Sequence, residues 1–111
     1  MKYIVGLFIL SMALIGCTYE KAEPLTVGCD SIISFRIDIV PILNLNCIGC
    51  HSTGDAQGDF QNYDGVKAKA DNGILKYRVC SVKDMPVPPG SISDADRQKI
   101  KCWIEQGAQN N

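Results

Sequence analysis

Apolar and polar positions divide the chain into an apolar leader, a polar connector and a longer mixed region. Residues 3–15 are predominantly apolar and follow the basic Lys2. That run is too short to cross a bilayer, and its basic start and apolar middle predict a secretory signal over residues 1–16. Residues 17–29 are mostly polar, include Pro24 and read as a tether. Residues 18–28 could reach at most about 35–40 Å when fully extended. From Ser34 the pattern changes: Phe35, Ile37, Ile39, Val40, Ile42, Leu43 and Leu45 are apolar. A short helix is expected over residues 38–46, with Asp38 as its cap and Pro41 in its first turn. The apolar residues are denser than one helical face requires, which is compatible with an extended portion. Residues 52–61 contain Gly54 and Gly58 and read as a loop. Residues 63–71 predict a second helix, ended by Asn72-Gly73, and residues 74–80 a third. Met85-Pro86-Val87-Pro88-Pro89-Gly90 excludes a regular helix or a central strand. Ser93 opens the last helix, and Asp94 and Asp96 complement its dipole. Ile100, Trp103 and Ile104 share one face there, and Gly107 is a natural stop. Residues 30–111 are therefore expected to form one all-α domain.

Between the first two helices lies Cys47-Ile48-Gly49-Cys50-His51. Two thiols three residues apart with histidine next is the attachment spacing of c-type haem. Each thiol can add across one porphyrin vinyl group, and the chain between them then aims the histidine at iron. His51 would ligate through Nε2, with Nδ1–H donating to a backbone carbonyl that fixes the tautomer. Three other readings compete. A structural zinc site needs a second closely spaced ligand pair, and the remaining cysteines are scattered singly. A thioredoxin-like pair needs a βαβ context, which does not follow the motif. A plain Cys47–Cys50 disulfide is the third.

His51 is the only histidine, so two histidine ligands from this chain are excluded. Met1 and Met12 fall within the signal, which leaves Met85 as the one methionine beyond it. A proline-stiffened loop suits a thioether held at a fixed place, and Met85 is expected as the sixth ligand. A Met/His pair raises the reduction potential relative to two nitrogen ligands. The peptide core of a domain of about 80 residues is marginal, and one covalent haem c would complete it.

Charge adds an exclusion. The 111 residues carry 11 basic and 12 acidic side chains. Lys2 is the sole charge in residues 1–16, so its loss takes the net charge from −1 to −2. No basic patch is evident, which argues against nucleic acid as a partner. Leu14-Ile15-Gly16-Cys17 resembles a bacterial lipobox. The resemblance implies that Cys17 becomes the lipidated first residue, anchored to a bacterial membrane outside the cytoplasm.

The stretch Phe35-x-x-Asp38-Ile39-x-Pro41-Ile42-Leu43-x-x-Asn46-Cys47-x-x-Cys50-His51 resembles the start of small bacterial monohaem cytochromes c. Met85-Pro86, Ile92-Ser93-Asp94-x-Asp96 and Ile100-x-x-Trp103-Ile104-x-x-Gly107-Ala108 resemble their end. The likeness covers residues 34–110 and implies the class I cytochrome c fold, in which the first and last helices cross beside the haem and Trp103 packs near the crossing. It also implies an electron carrier and no enzyme, docking transiently with a redox donor and acceptor. A haem peroxidase-like enzyme or a gas or redox sensor with an open sixth site is the alternative, and a structural lipoprotein bridged at Cys47–Cys50 another. Two departures stand out. Many class I members have a proline after the motif whose carbonyl receives the histidine Nδ1 proton, and no proline occurs here between His51 and Met85. Cys29, Cys80 and Cys102 are surplus, and three pairings are open. A class I arrangement implies Cys80–Cys102, holding the methionine loop against the last helix; Cys29–Cys102 is its rival.

Overall fold

Four helices and the loops between them make up residues 28–111, the part of the chain that the computed structural model describes. No strand occurs among these residues. The expected signal, the Cys17 lipidation and the tether up to residue 27 lie outside the described residues.

The first helix, α1, begins as a wide π turn over Phe35–Ile39 and continues as regular α-helix over Val40–Asn46. It therefore starts before the expected residue 38, and no part of the apolar stretch is extended. Two reciprocal hydrogen bonds explain the start. Ser34 Oγ accepts from the Ile37 N–H at 3.2 Å, and Asp38 Oδ2 accepts from the Ser34 N–H at 3.0 Å. This is the exchange of a capping box, with the carboxylate one residue later because the turn is wider. Pro41 accounts for the width. It has no N–H for the Ile37 carbonyl, and its ring would crowd that oxygen in a regular turn. The wide turn instead carries the Val40 N–H to the Phe35 carbonyl.

The second helix, α2 (Tyr63–Asp71), is capped by Asn62, whose Oδ1 accepts from the Gly65 N–H at 2.8 Å. Gly65 has no substitute there, because a Cβ would sit 1.8 Å from the Asp59 carbonyl oxygen. The third, α3, is α-helical over Ile74–Lys76 and widens to a π-helix over Tyr77–Val82. The fourth, α4 (Asp94–Glu105), is capped by Ser93, whose Oγ accepts from the Asp96 N–H at 3.0 Å. Gly107 follows with φ +95°, the left-handed stop expected of it.

The π turn of α1 packs on α4 around aromatic rings. Trp103 is fully buried. Its ring lies 5.3 Å from that of Phe35, and Tyr63 meets Phe35 edge-on at 5.1 Å. The polar ends of both large rings are satisfied. Trp103 Nε1 donates to the Gln109 carbonyl at 2.9 Å, and Tyr63 Oη donates to the Ala108 carbonyl at 2.8 Å. Ile39, Leu43, Val66 and Ile100 fill the space around them.

The disulfide corrects the expectation. Cys29 is bonded to Cys102, with Cα atoms 5.1 Å apart, and Cys80 is a free thiol. The segment carrying Cys80 does reach α4, but at Arg97: the Cys80 thiol faces the Arg97 carbonyl at 3.4 Å. Cys102 is five residues further along, about 7.5 Å up the helix axis and about 140° around it. Gln106 explains why Cys29 arrives instead. Its amide donates to the carbonyls of Cys29 (3.2 Å) and Ser31 (2.8 Å) and accepts from the Ile33 N–H at 2.9 Å. Cys29, expected at the end of the tether, is thus fastened to the last helix.

Candidate functional site

Where α1 ends, the chain turns back on itself. The Cys47 N–H donates to the Leu43 carbonyl at 2.8 Å, and the Cys47 carbonyl accepts from both Cys50 N–H (3.1 Å) and His51 N–H (2.9 Å). The turn puts two thiols and an imidazole at one helix end. Cys47 is half-buried, Cys50 is exposed, and both are free. Burial pushes the Cys47 thiol up to about 11, so at neutral pH the free side chain is the neutral thiol and not the thiolate that disulfide exchange requires. Among the described residues no three His, Cys, Asp or Glu side chains are placed to hold a metal ion between them, and the pair lacks the further donors of a structural zinc site.

The His51 ring is held from one side. Phe60 stacks on it with centroids 4.7 Å apart and planes 23° from parallel, and the Phe60 N–H donates to the His51 carbonyl at 2.9 Å. The backbone carbonyl expected to receive Nδ1–H is not found: Nδ1 is buried without a hydrogen-bond partner. The nearby group is a carboxylate, Asp55 Oδ2, at 3.6 Å.

Cys47, Cys50, His51 and Met85 line one cavity of about 550 Å³. Its walls are largely hydrocarbon, from Phe60, Leu75, Val79, Ile92 and Ile100. Ile74 and Val87 also line it although they are 50% and 62% exposed, so its rim carries apolar surface that the chain leaves uncovered. Met85 is half-buried and packs against the core. Its segment is tied to α4 by Arg97, which donates through Nη1 to the Met85 carbonyl at 3.1 Å and to the Val79 carbonyl. The restraint expected of a Cys80–Cys102 bond is supplied by this guanidinium. Lys69 and Arg78 are the cations on the lining; Arg78 is also paired with Asp84 at 2.7 Å.

All four expected ligand and attachment residues thus meet at one cavity. Phe60, Asp55 and Arg97 escaped the sequence reading. Asp55 stands four residues after His51, and Phe60 is the one aromatic residue in residues 52–61, signals that could have singled them out. Arg97 gave none, because a cation on a helix is ordinarily a solvated one. No protein-family model, curated protein or solved structure matches the chain.

Proposed function

We propose that this protein is a membrane-anchored electron carrier, a monohaem c-type cytochrome with the class I arrangement of helices. The observation that carries the reading is the convergence of Cys47, Cys50, His51 and Met85 on one apolar cavity. Its volume of about 550 Å³ falls within the roughly 300–1,000 Å³ of small-molecule and cofactor sites. The buried, unpartnered Nδ1 of His51 also suits an imidazole whose other nitrogen ligates iron.

In this reading Cys47 and Cys50 would hold haem c by thioether bonds, and His51 Nε2 and the Met85 sulfur would ligate its iron. A bound haem supplies a one-electron couple between ferric and ferrous iron. The rest is the work of the chain. The motif turn is fixed to α1, and Arg97 restrains the backbone at Met85, so both ligands keep their places in either oxidation state. The hydrocarbon walls exclude water. Lys69 and Arg78, the cations on the lining, would help offset the charge of the haem propionates. Ile74 and Val87 form an apolar rim of the kind on which redox partners dock weakly. Lipid on Cys17 would keep the domain at a bacterial membrane, outside the cytoplasm. No acid, base or nucleophile is needed.

The test is covalent attachment. The full chain, produced in a bacterium that matures c-type cytochromes, is expected to gain the mass of one haem on the peptide spanning residues 47–51. The Cys47→Ala/Cys50→Ala variant is expected to lose it. A wild-type protein without covalent haem, or a normal holoprotein from the double variant, overturns the proposal.

A further inference from the structure

We infer that Asp55 is the hydrogen-bond partner of His51 and, through the ring, sets the electron density on the iron ligand. The inference rests on the haem reading above and deepens it. A neutral imidazole that ligates through Nε2 carries its proton on Nδ1. Nδ1 of His51 is buried and has no partner, and a buried donor left unsatisfied is destabilising. Among the described residues Asp55 is the one carboxylate within reach, with Oδ2 at 3.6 Å from Nδ1, and the two side chains are only 19% and 23% exposed.

Asp55 is also fixed in place. Its Oδ1 accepts from the Gln57 N–H at 2.6 Å, its own N–H donates to the Ser52 carbonyl at 3.0 Å, and its carbonyl accepts from the Gly58 N–H at 3.1 Å. One carboxylate oxygen is therefore engaged with backbone while the other is turned to the imidazole, and Phe60 holds the ring by stacking. A shift of about half an ångström brings the pair to ordinary hydrogen-bond length.

A carboxylate differs from a backbone carbonyl in carrying a full charge. It pulls the Nδ1 proton harder and leaves more electron density on the ring. The denser ligand favours ferric over ferrous iron, so Asp55 lowers the potential that Met85 raises. Asp55 is a positioning residue: it acts only through His51.

The experiment compares the full-length holoprotein with Asp55→Asn and Asp55→Ala by redox titration, and follows the His51 Nδ1–H by NMR in the ferrous state. Asparagine keeps an oxygen for the Gln57 N–H, so the loop is preserved. Asp55→Asn is expected to keep covalent haem and its ligand spectrum while the ferrous-to-ferric ratio at a fixed ambient potential rises about tenfold, a shift of 59 mV for one electron. The Nδ1–H resonance is expected to move to lower chemical shift in that variant and to exchange faster with water in Asp55→Ala. An unchanged potential with haem attached overturns the inference. So does a raised potential with an unchanged Nδ1–H resonance, which would mean that the charge acts through space and not through the ring. Absence of covalent haem from the wild-type protein, seen by absorption before any variant is made, overturns the haem reading and this inference together.

Discussion

The seam between α1 and α4 and the cavity beside the Cys47–His51 turn are built from the same short helices to opposite ends. At the seam every large group is accounted for. Trp103 and Ile39 are fully buried, the Trp103 and Tyr63 polar atoms reach carbonyls, Gln106 satisfies three backbone groups, and a disulfide closes the rim. At the cavity two thiols are free, an imidazole nitrogen is buried without a partner, and Ile74 and Val87 show apolar surface. A region that folding alone would complete does not look like this. In the proposed reading a bound haem completes the cavity, while the seam supplies the frame.

The strongest way to break the comparison is at the seam. Trp103→Ala is expected to cost about 3–5 kcal/mol, as for other large buried aromatics, and to lower the thermal midpoint with or without haem. Met85→Ala at the cavity is expected to change the stability of the haem-free chain by about 1 kcal/mol or less, because the side chain is half-exposed. Its effect should fall on the iron spectrum and potential. Equal losses of stability from the two variants in chemical denaturation would erase the distinction.

Next in size is the disulfide. Cys29 and Cys102 are 73 residues apart, and constraining a loop of that length is worth about 4 kcal/mol in the chain-entropy account. Cys29→Ser should lower the unfolding free energy from chemical denaturation by about that amount, and reductant should do the same to the wild type. Cys80→Ser should leave peptide mapping of the oxidised protein unchanged, with residue 29 still linked to 102.

Arg97 joins the two regions and gives a smaller, more telling effect. Arg97→Gln removes the donor shared by the Met85 and Val79 carbonyls and is expected to cost about 1–3 kcal/mol. Hydrogen exchange should rise around Met85 while the backbone at Trp103 stays protected. If exchange rises equally at both, the guanidinium serves the whole fold and not the Met85 segment.

The weakest effect is on pH dependence. The Cys47 thiol has an ordinary value of 9.0 and is raised to about 11 by burial. Between those values the folded chain retains a proton that the unfolded chain has lost. Stability from this group is therefore complete below pH 9 and declines as pH rises toward 11, by at most about 1.4 kcal/mol per pH unit. Cys47→Ala in haem-free protein should flatten that part of the profile, measured by urea denaturation from pH 8 to 11.

What was legible in the sequence follows the same division. Helices with a clear start or stop were readable: Ser93 begins α4 and Gly107 ends it, and Asn72-Gly73 ends α2, whose Asn62 cap was not singled out in the sequence. That Cys47, Cys50, His51 and Met85 line one cavity agrees with their having been singled out by the spacing of two thiols and a histidine and by Met85 being the one methionine in residues 28–111. The start of α1 was not readable, since Pro41 reads as a first-turn residue and nothing local announces the π turn that accommodates it. The disulfide was not either. Its partner is decided by where two segments land on α4, and that depends on Gln106 and Arg97 reaching backbone carbonyls far along the chain. The backbone carbonyl expected at His51 Nδ1 is absent, and the nearby group is the Asp55 carboxylate at 3.6 Å, four residues along a turn that no periodicity marks.

The most direct test of the central claim is the optical spectrum of the oxidised protein, isolated as the full chain from a host that matures c-type cytochromes. One covalent haem with a low-spin spectrum and the weak long-wavelength sulfur-to-iron band is expected, and that band should vanish in Met85→Ala. A high-spin spectrum in the wild type would mean an open sixth site and an enzyme or sensor, and a protein with no haem would leave the cavity to another ligand; either contradicts an electron carrier ligated by His51 and Met85.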